Sequence, residues 1–198
     1  MLPLSYGLKV STAPAAEPVT LAEMKIHLRV TDVDEDGYIT ELIQEARQFV
    51  ENSTGRAIYD RSYTLNLHRG PAAMGLTEVI LPRPPLDSIT SVNYIDVDGN
   101  SQAWTDYQVS TSDEWGRLKP DYNTSWPSVR EQYDCFTVVY VAGYGTATSD
   151  FPLPLVRCMK LITGNWFENR EAATPVMLRP VPMAAESIIN NYKAWAAA

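Results

Sequence analysis

The chain has 198 residues, 45% hydrophobic and 20% charged, the size of one large domain or of a domain with a small lobe. Its 16 Lys and Arg against 24 Asp and Glu give a net charge of −8, which argues against a surface built to grip nucleic acid, since phosphate binding needs clustered bases. Two cysteines are too few for a disulfide framework, and no apolar run approaches the roughly 20 residues of a membrane span.

Residues 1–19 read as an extended N-terminal arm, with Pro14 and Pro18 in an Ala, Ser and Thr context. The start, MLPLSYGLKVSTAPA, lacks the charged-then-apolar pattern of a secretory signal, so the expectation is a soluble protein made in a reducing cytoplasm. A first helix is predicted over 20–30. Thr20-Leu21-Ala22-Glu23 is a capping box, in which the Thr20 hydroxyl accepts from the Glu23 amide and the Glu23 carboxylate reaches back. Leu21, Met24 and Leu28 share one face of it. A second helix over 35–54 follows an acidic turn. Ile39, Leu42, Ile43, Ala46, Phe49 and Val50 recur at three- and four-residue spacing, and Gly55 suits a left-handed C-terminal cap. The two form an α-hairpin. Residues 23–51 carry eight acids against three bases, a solvated or partner-facing surface.

From 56 to 142 the period changes to two. Tyr63, Leu65 and Leu67 alternate with polar residues, Val92 and Tyr94 follow Ile89, and Asp98-Gly99 marks a hairpin turn. Pro82, Pro84 and Pro85 keep the strands short, while Phe136 to Val141 is continuous in β-branched and aromatic residues and is expected at the centre of a sheet. This is a small antiparallel β lobe inserted between helices. A third helix runs over 154–170, with Pro154 in its first turn and a stripe of Leu155, Met159, Ile162 and Trp166 widened by Val156 and Leu161. A Pro-rich tether then leads to a last helix over 184–195, whose Met183, Ile188, Ile189, Tyr192 and Trp195 are too apolar for a helix that is marginal alone. It must dock, either on its own domain or on a partner. The fold class is therefore α+β: a helical bundle with an inserted β lobe and a tethered C-terminal helix. The expected divisions are 1–19, a single domain over 20–172, and 173–198.

Tests for chemistry come out negative. Asp32-Val33-Asp34-Glu35-Asp36-Gly37 matches the first half of a calcium loop, but its twelfth position, which must supply a bidentate carboxylate, is Ile43. Those acids are better read as complementing the dipole of the second helix. Asp96-Val97-Asp98-Gly99-Asn100 reads as a hairpin, not a metal site. His27 and His68 have no Cys or His at ligand spacing, and there is no G-x-S-x-G elbow, Walker loop or G-x-G-x-x-G. Gly143-Tyr144-Gly145 follows a strand but lacks the lysine of a phosphate loop, so a tight turn is expected. Cys135 and Cys158 sit in apolar context and read as reduced core residues. The expectation is a protein that is not an enzyme, with no catalytic, metal or cofactor residues. Trp166 reads as core; Phe167, about 100° away, together with Glu168, Arg170 and Glu171 at a charged rim, is free for another contact.

The order of these blocks is specific. Thr20-Leu21-Ala22-Glu23-Met24-Lys25 with Leu28-Arg29-Val30 comes first, followed by Tyr38-Ile39, Leu42-Ile43 and Ala46-Arg47 up to Thr54-Gly55-Arg56. Pro85-Leu86 and Ser88-Ile89-Thr90-Ser91-Val92, then Val141-Ala142-Gly143-Tyr144-Gly145, then Trp166-Phe167-Glu168-Asn169-Arg170-Glu171 complete the series. Over residues 18–192 the chain resembles the head–tail connector, or adaptor, family of long-tailed bacteriophages, prophages and gene transfer agents. The resemblance implies a ring in the virion neck, typically of twelve subunits, assembled in the bacterial cytoplasm. That ring sits beneath the portal protein, extends the DNA channel without specific DNA binding, and offers a platform to the next neck protein, the stopper. It also implies that the C-terminal segment docks on the portal, which assigns Ile188, Ile189, Tyr192 and Trp195 to that contact. Phe167, Glu168 and Arg170 are assigned to the subunit interface. A stopper or tail terminator is the alternative within the neck, disfavoured by the helical hairpin; a small soluble enzyme is the alternative outside it.

Overall fold

The structure, a computed structural model, describes residues 6–11, 14, 16–170 and 181–194. In chain order its elements are β1 (Tyr6–Val10), α1 (Leu21–Leu28), α2 (Asp36–Thr54), β2 (Arg61–Leu67), β3 (Val79–Leu81), β4 (Leu86–Ile95), β5 (Ser101–Ala103), β6 (Tyr107–Ser110), β7 (Gly116–Pro120), β8 (Phe136–Ala142), α3 (Leu153–Glu168) and α4 (Met183–Tyr192). They fall into two compact units. A β unit takes the N-terminal segment up to Pro14 and Asp60–Gly143; a helical unit takes the chain from there to Tyr59 and Tyr144–Ala194.

The β unit holds two antiparallel sheets, one of five strands in the order β1-β2-β8-β4-β5 and one of three in the order β3-β7-β6. β8 is central, as its unbroken run of β-formers predicts, and it buries Phe136, Val138, Tyr140 and Ala142 in strict alternation. Tyr63 of β2 stacks on Tyr140 with ring centroids 5.6 Å apart, and the Tyr140 hydroxyl donates to the Pro82 carbonyl at 2.7 Å. That bond satisfies a phenol whose pKa burial drives well above its usual value. The β4–β5 hairpin turns at Asp98-Gly99, with Gly99 at φ 93°. Asp96 organises the turn: its Oδ1 accepts the Asp98 and Asn100 amides at 3.0 and 2.8 Å. Hydrogen bonds from Gln102 and Asn100 hold its carboxyl below the usual range. At one end of the sheet Trp104, Trp126 and Phe136 form an aromatic cluster with centroid separations of 5.1 to 5.9 Å.

Two boundaries differ from the sequence reading. Tyr6–Val10, expected within an arm, forms β1 and pairs with β2 from Tyr6↔Leu67 to Val10↔Tyr63. An extended segment needs only a sheet edge to become a strand, and β2 supplies one. Arg56 to Tyr59, expected in the β lobe, belongs to the helical unit, where Ala57, Ile58 and Tyr59 are buried.

In the helical unit α1 opens on the expected capping box, with Glu23 N to Thr20 Oγ1 at 3.2 Å and Thr20 N to Glu23 Oε2 at 3.1 Å. α2 ends at Gly55 in the left-handed conformation, φ 73°. Its periodic face, Ile39, Ile43, Ala46 and Val50, meets Leu155, Cys158, Met159 and Ile162 of α3 in one core with Met24, Ile58 and Tyr59. A buried ion cluster runs along the side of that core. Arg47 donates to Glu17 at 2.7 Å and to Glu51 at 3.0 Å, and Glu51 Oε1 accepts the Ile58 amide at 3.1 Å. Burial pulls the Arg47 pKa down, but the Glu17 hydrogen bond and the two carboxylate charges outweigh it and leave it raised.

Candidate functional site

The motifs that could have carried chemistry are structural. In the Asp32–Gly37 turn the Lys25 ammonium donates to Asp36 Oδ1 at 2.5 Å and to the Asp32 carbonyl at 2.7 Å, so a fixed cation already occupies the space a calcium loop would offer. Ile43 is 3% exposed in the core. Among the described residues no group of three or more His, Cys, Asp or Glu could hold a metal. Gly143 and Gly145 have φ of 152° and 135°. A Cβ on Gly143 would stand 2.5 Å from the Asp60 amide nitrogen, and one on Gly145 would stand 2.3 Å from Asp150 Oδ2. Carboxylates crowd the very space a phosphate would need, so the glycines serve close backbone approach and not anion binding.

His27 lies close to Gly164 of α3, where an added Cβ would stand 3.6 Å from its Nε2, an ordinary contact, and His68 lies 3.0 Å from Asp134. Cys135 and Cys158 are both free and buried. Burial raises both thiols, Cys158 to about 11.

The residues assigned to interfaces divide unevenly. Trp166 is half-buried, edge-on to Phe49 with centroids 5.8 Å apart. Phe167 packs on Tyr38 at 6.1 Å. Arg170 lies over both rings, at 4.7 Å from Tyr38 and 5.0 Å from Phe167, and pairs with Glu35 at 2.8 Å. Phe167 and Arg170 therefore close the α2 start onto the α3 end within their own unit. Glu168 remains exposed, and Glu171 lies outside the described residues.

The last helix docks on its own unit. Ala185 and Ile189 are buried in the shared core, with Ile188 and Tyr192 half-buried against it. The Cys158 thiol approaches the Ala185 carbonyl at 3.7 Å, Arg56 Nε donates to the Tyr192 carbonyl at 2.5 Å, and the Ala194 amide donates to the Thr54 carbonyl at 2.7 Å. Of the stripe expected to face the portal, Ile189 is buried in the core with α2 and α3, while Ile188 and Tyr192 keep part of their surface exposed. Trp195 lies outside the described residues.

One surface feature carries no motif in the sequence. An open groove of about 560 Å³ in the β unit is lined by residues that include Leu76, Gln108, Lys119, Tyr122 and Trp126. Trp126 is fixed there by its indole N–H on the Leu76 carbonyl at 2.8 Å. Its sequence signal is the aromatic pair Tyr122 and Trp126 in a polar loop, which reads equally well as a turn.

The family model described as phage gp6-like head-tail connector protein matches residues 18–75, the helical hairpin and the start of the β unit. No curated protein matches the chain. Among solved structures, a chain of "Virion of native gene transfer agent (GTA) particle" aligns over 96% of this chain and 97% of its own, at 19% identity and a TM-score of 0.77. A chain of "Neck of empty GTA particle computed with C6 symmetry" aligns over 97% of each, at 20% identity and a TM-score of 0.78. A third, from "Neck of native GTA particle computed with C12 symmetry", aligns over 97% of each at 19% identity and 0.73. The family match is confined to residues 18–75, whereas the likeness of fold runs along nearly the whole chain.

Proposed function

We propose that the chain is a structural component of the virion neck, whose copies form a ring of about twelve beneath the portal, extend the DNA channel and connect head to tail. The observation that carries this reading is a fold shared over 97% of both chains with a chain from a gene-transfer-agent neck, at a TM-score of 0.78. The C6 and C12 symmetries of those necks support a closed ring of identical subunits. The acidic chain fits a channel: subunits of net charge −8 repel DNA phosphates, which favours passage over sticking.

Portal contact falls to the C-terminal segment, and in α4 it falls to the outward face with exposed Met183, Ser187 and Asn190, because Ile189 is committed to the core. The free side of the ring receives the next neck protein. Negative-stain imaging of the purified chain mixed with its cognate portal tests the proposal: a ring on the portal's tail-facing end is expected. A chain that neither binds portal nor forms rings refutes it.

A further inference from the structure

α2 and α3 bury their inner faces in one core, and their outward faces carry opposite charge. On α2 the exposed residues Glu41 and Glu45 stand one turn apart, flanked by exposed Gln44 and Gln48. On α3 Leu153, Arg157 and Lys160 follow at spacings of four and three; Leu153 is 79% exposed and Arg157 is exposed. Among the described residues none of these four charged side chains has an ion-pair or hydrogen-bond partner, although the helical unit pairs Lys25, Arg47 and Arg170 internally. Each outward face turns away from the shared core. The two therefore cannot neutralise each other within one chain, but they can do so between two.

We propose that the Glu41–Glu45 face of one copy docks on the Leu153–Arg157–Lys160 face of a second copy. This rests on the neck-ring reading. Copies of net charge −8 repel one another at long range, so association needs local complementarity at the contact. Two α2 faces meeting would set carboxylates against carboxylates, which disfavours pairing α2 against α2. The acid-to-base contact joins unlike faces. It leaves the acidic face of one copy and the basic face of the other free, so it propagates head to tail and closes when the rotation per subunit allows. Leu153 supplies the apolar anchor that a purely ionic contact lacks.

The test is sedimentation velocity of the full chain over a range of concentrations and salt. Glu41→Lys with Glu45→Lys is one variant; Arg157→Glu with Lys160→Glu is the other. Each is expected to weaken self-association by about tenfold or more. An equimolar mixture of the two is expected to regain it, because the reversed α2 face of the first meets the reversed α3 face of the second. Self-association should fall as salt rises, since exposed pairs are screened within about 10 Å at 0.1 M. All four positions lie outside the core, and an unchanged circular dichroism melt verifies the fold. Undiminished association in both variants, or no recovery on mixing, overturns this interface while portal binding still judges the neck reading. A wild-type chain that stays monomeric at every concentration overturns it too.

Discussion

Ile189→Ala is the substitution that separates a core helix from a free docking helix. Ile189 is 8% exposed and shares the core with Ala185, Cys158 and Met159. Truncating a buried Ile to Ala costs about 2–5 kcal/mol, from lost transfer energy and the cavity left behind. The site lies in a short last helix that can shift inward, so the lower part of that range, about 2–3 kcal/mol, is expected. At a urea slope of about 2 kcal/mol/M this lowers the unfolding midpoint by about 1–1.5 M. The assay is urea denaturation of the isolated chain followed by circular dichroism, with the exposed Asn190→Ala as a control expected within about 0.5 kcal/mol of wild type. A change below about 0.5 kcal/mol for Ile189→Ala, combined with lost portal binding, refutes the reasoning. It would mean that α4 leaves the core in solution and keeps its apolar face for a partner.

Other expectations are equally direct. Arg47→Ala removes the guanidinium paired with Glu51, which is 2% exposed, and should cost about 3–5 kcal/mol by chemical denaturation; a cost below about 1 kcal/mol would show that the cluster is not desolvated. Trp166→Ala removes a half-buried ring packed on Phe49 and should cost about 2–4 kcal/mol, read by the same method. Gly143→Ala forces a Cβ to within 2.5 Å of the Asp60 amide at a φ that Ala disfavours. It should cost at least about 2 kcal/mol, seen as a lowered melting temperature. Cys158, its thiol pushed up to about 11 by burial, stays protonated at pH 8 and should react with a thiol reagent only after unfolding; rapid labelling of the native chain would contradict its placement.

Much of the helical architecture is legible in the sequence because each piece has a local cause. The Thr20–Glu23 box starts α1, the three-and-four spacing from Ile39 to Val50 builds α2, and Gly55 ends it where a left-handed residue is needed. The same holds for β8, whose continuous β-formers place it at the centre of the sheet, and for the Asp98-Gly99 hairpin. What escapes the sequence is whatever depends on a distant partner. Tyr6–Val10 is a strand because β2 offers an edge, and its own residues show no alternation of burial. Arg47 and Glu51 look like an ordinary surface i,i+4 pair until Glu17 and the Ile58 amide bury them. The Arg170 rim residue finds Glu35, 135 positions away. The stripe of α4 would fit its own core or another protein equally well, and only the gap left beside Cys158 decides between them.

The closeness of Asp60 and Gly143 has a consequence for how such chains vary. β2 and β8 pair from Arg61↔Ala142, so the Asp60–Gly143 segment is entered and left on neighbouring strands, with Gly143 packed on the Asp60 backbone. An insert whose ends adjoin makes no demand on its host beyond a tight turn. The Asp60–Gly143 segment is thus a cassette, with β1 of the N-terminal segment added at its β2 edge. It can lengthen, shorten or exchange its loops, including the Tyr122–Trp126 rim of the groove, without altering the register of α2 against α3. Surface adapted to a new neighbour can accumulate there while the helical unit keeps its core.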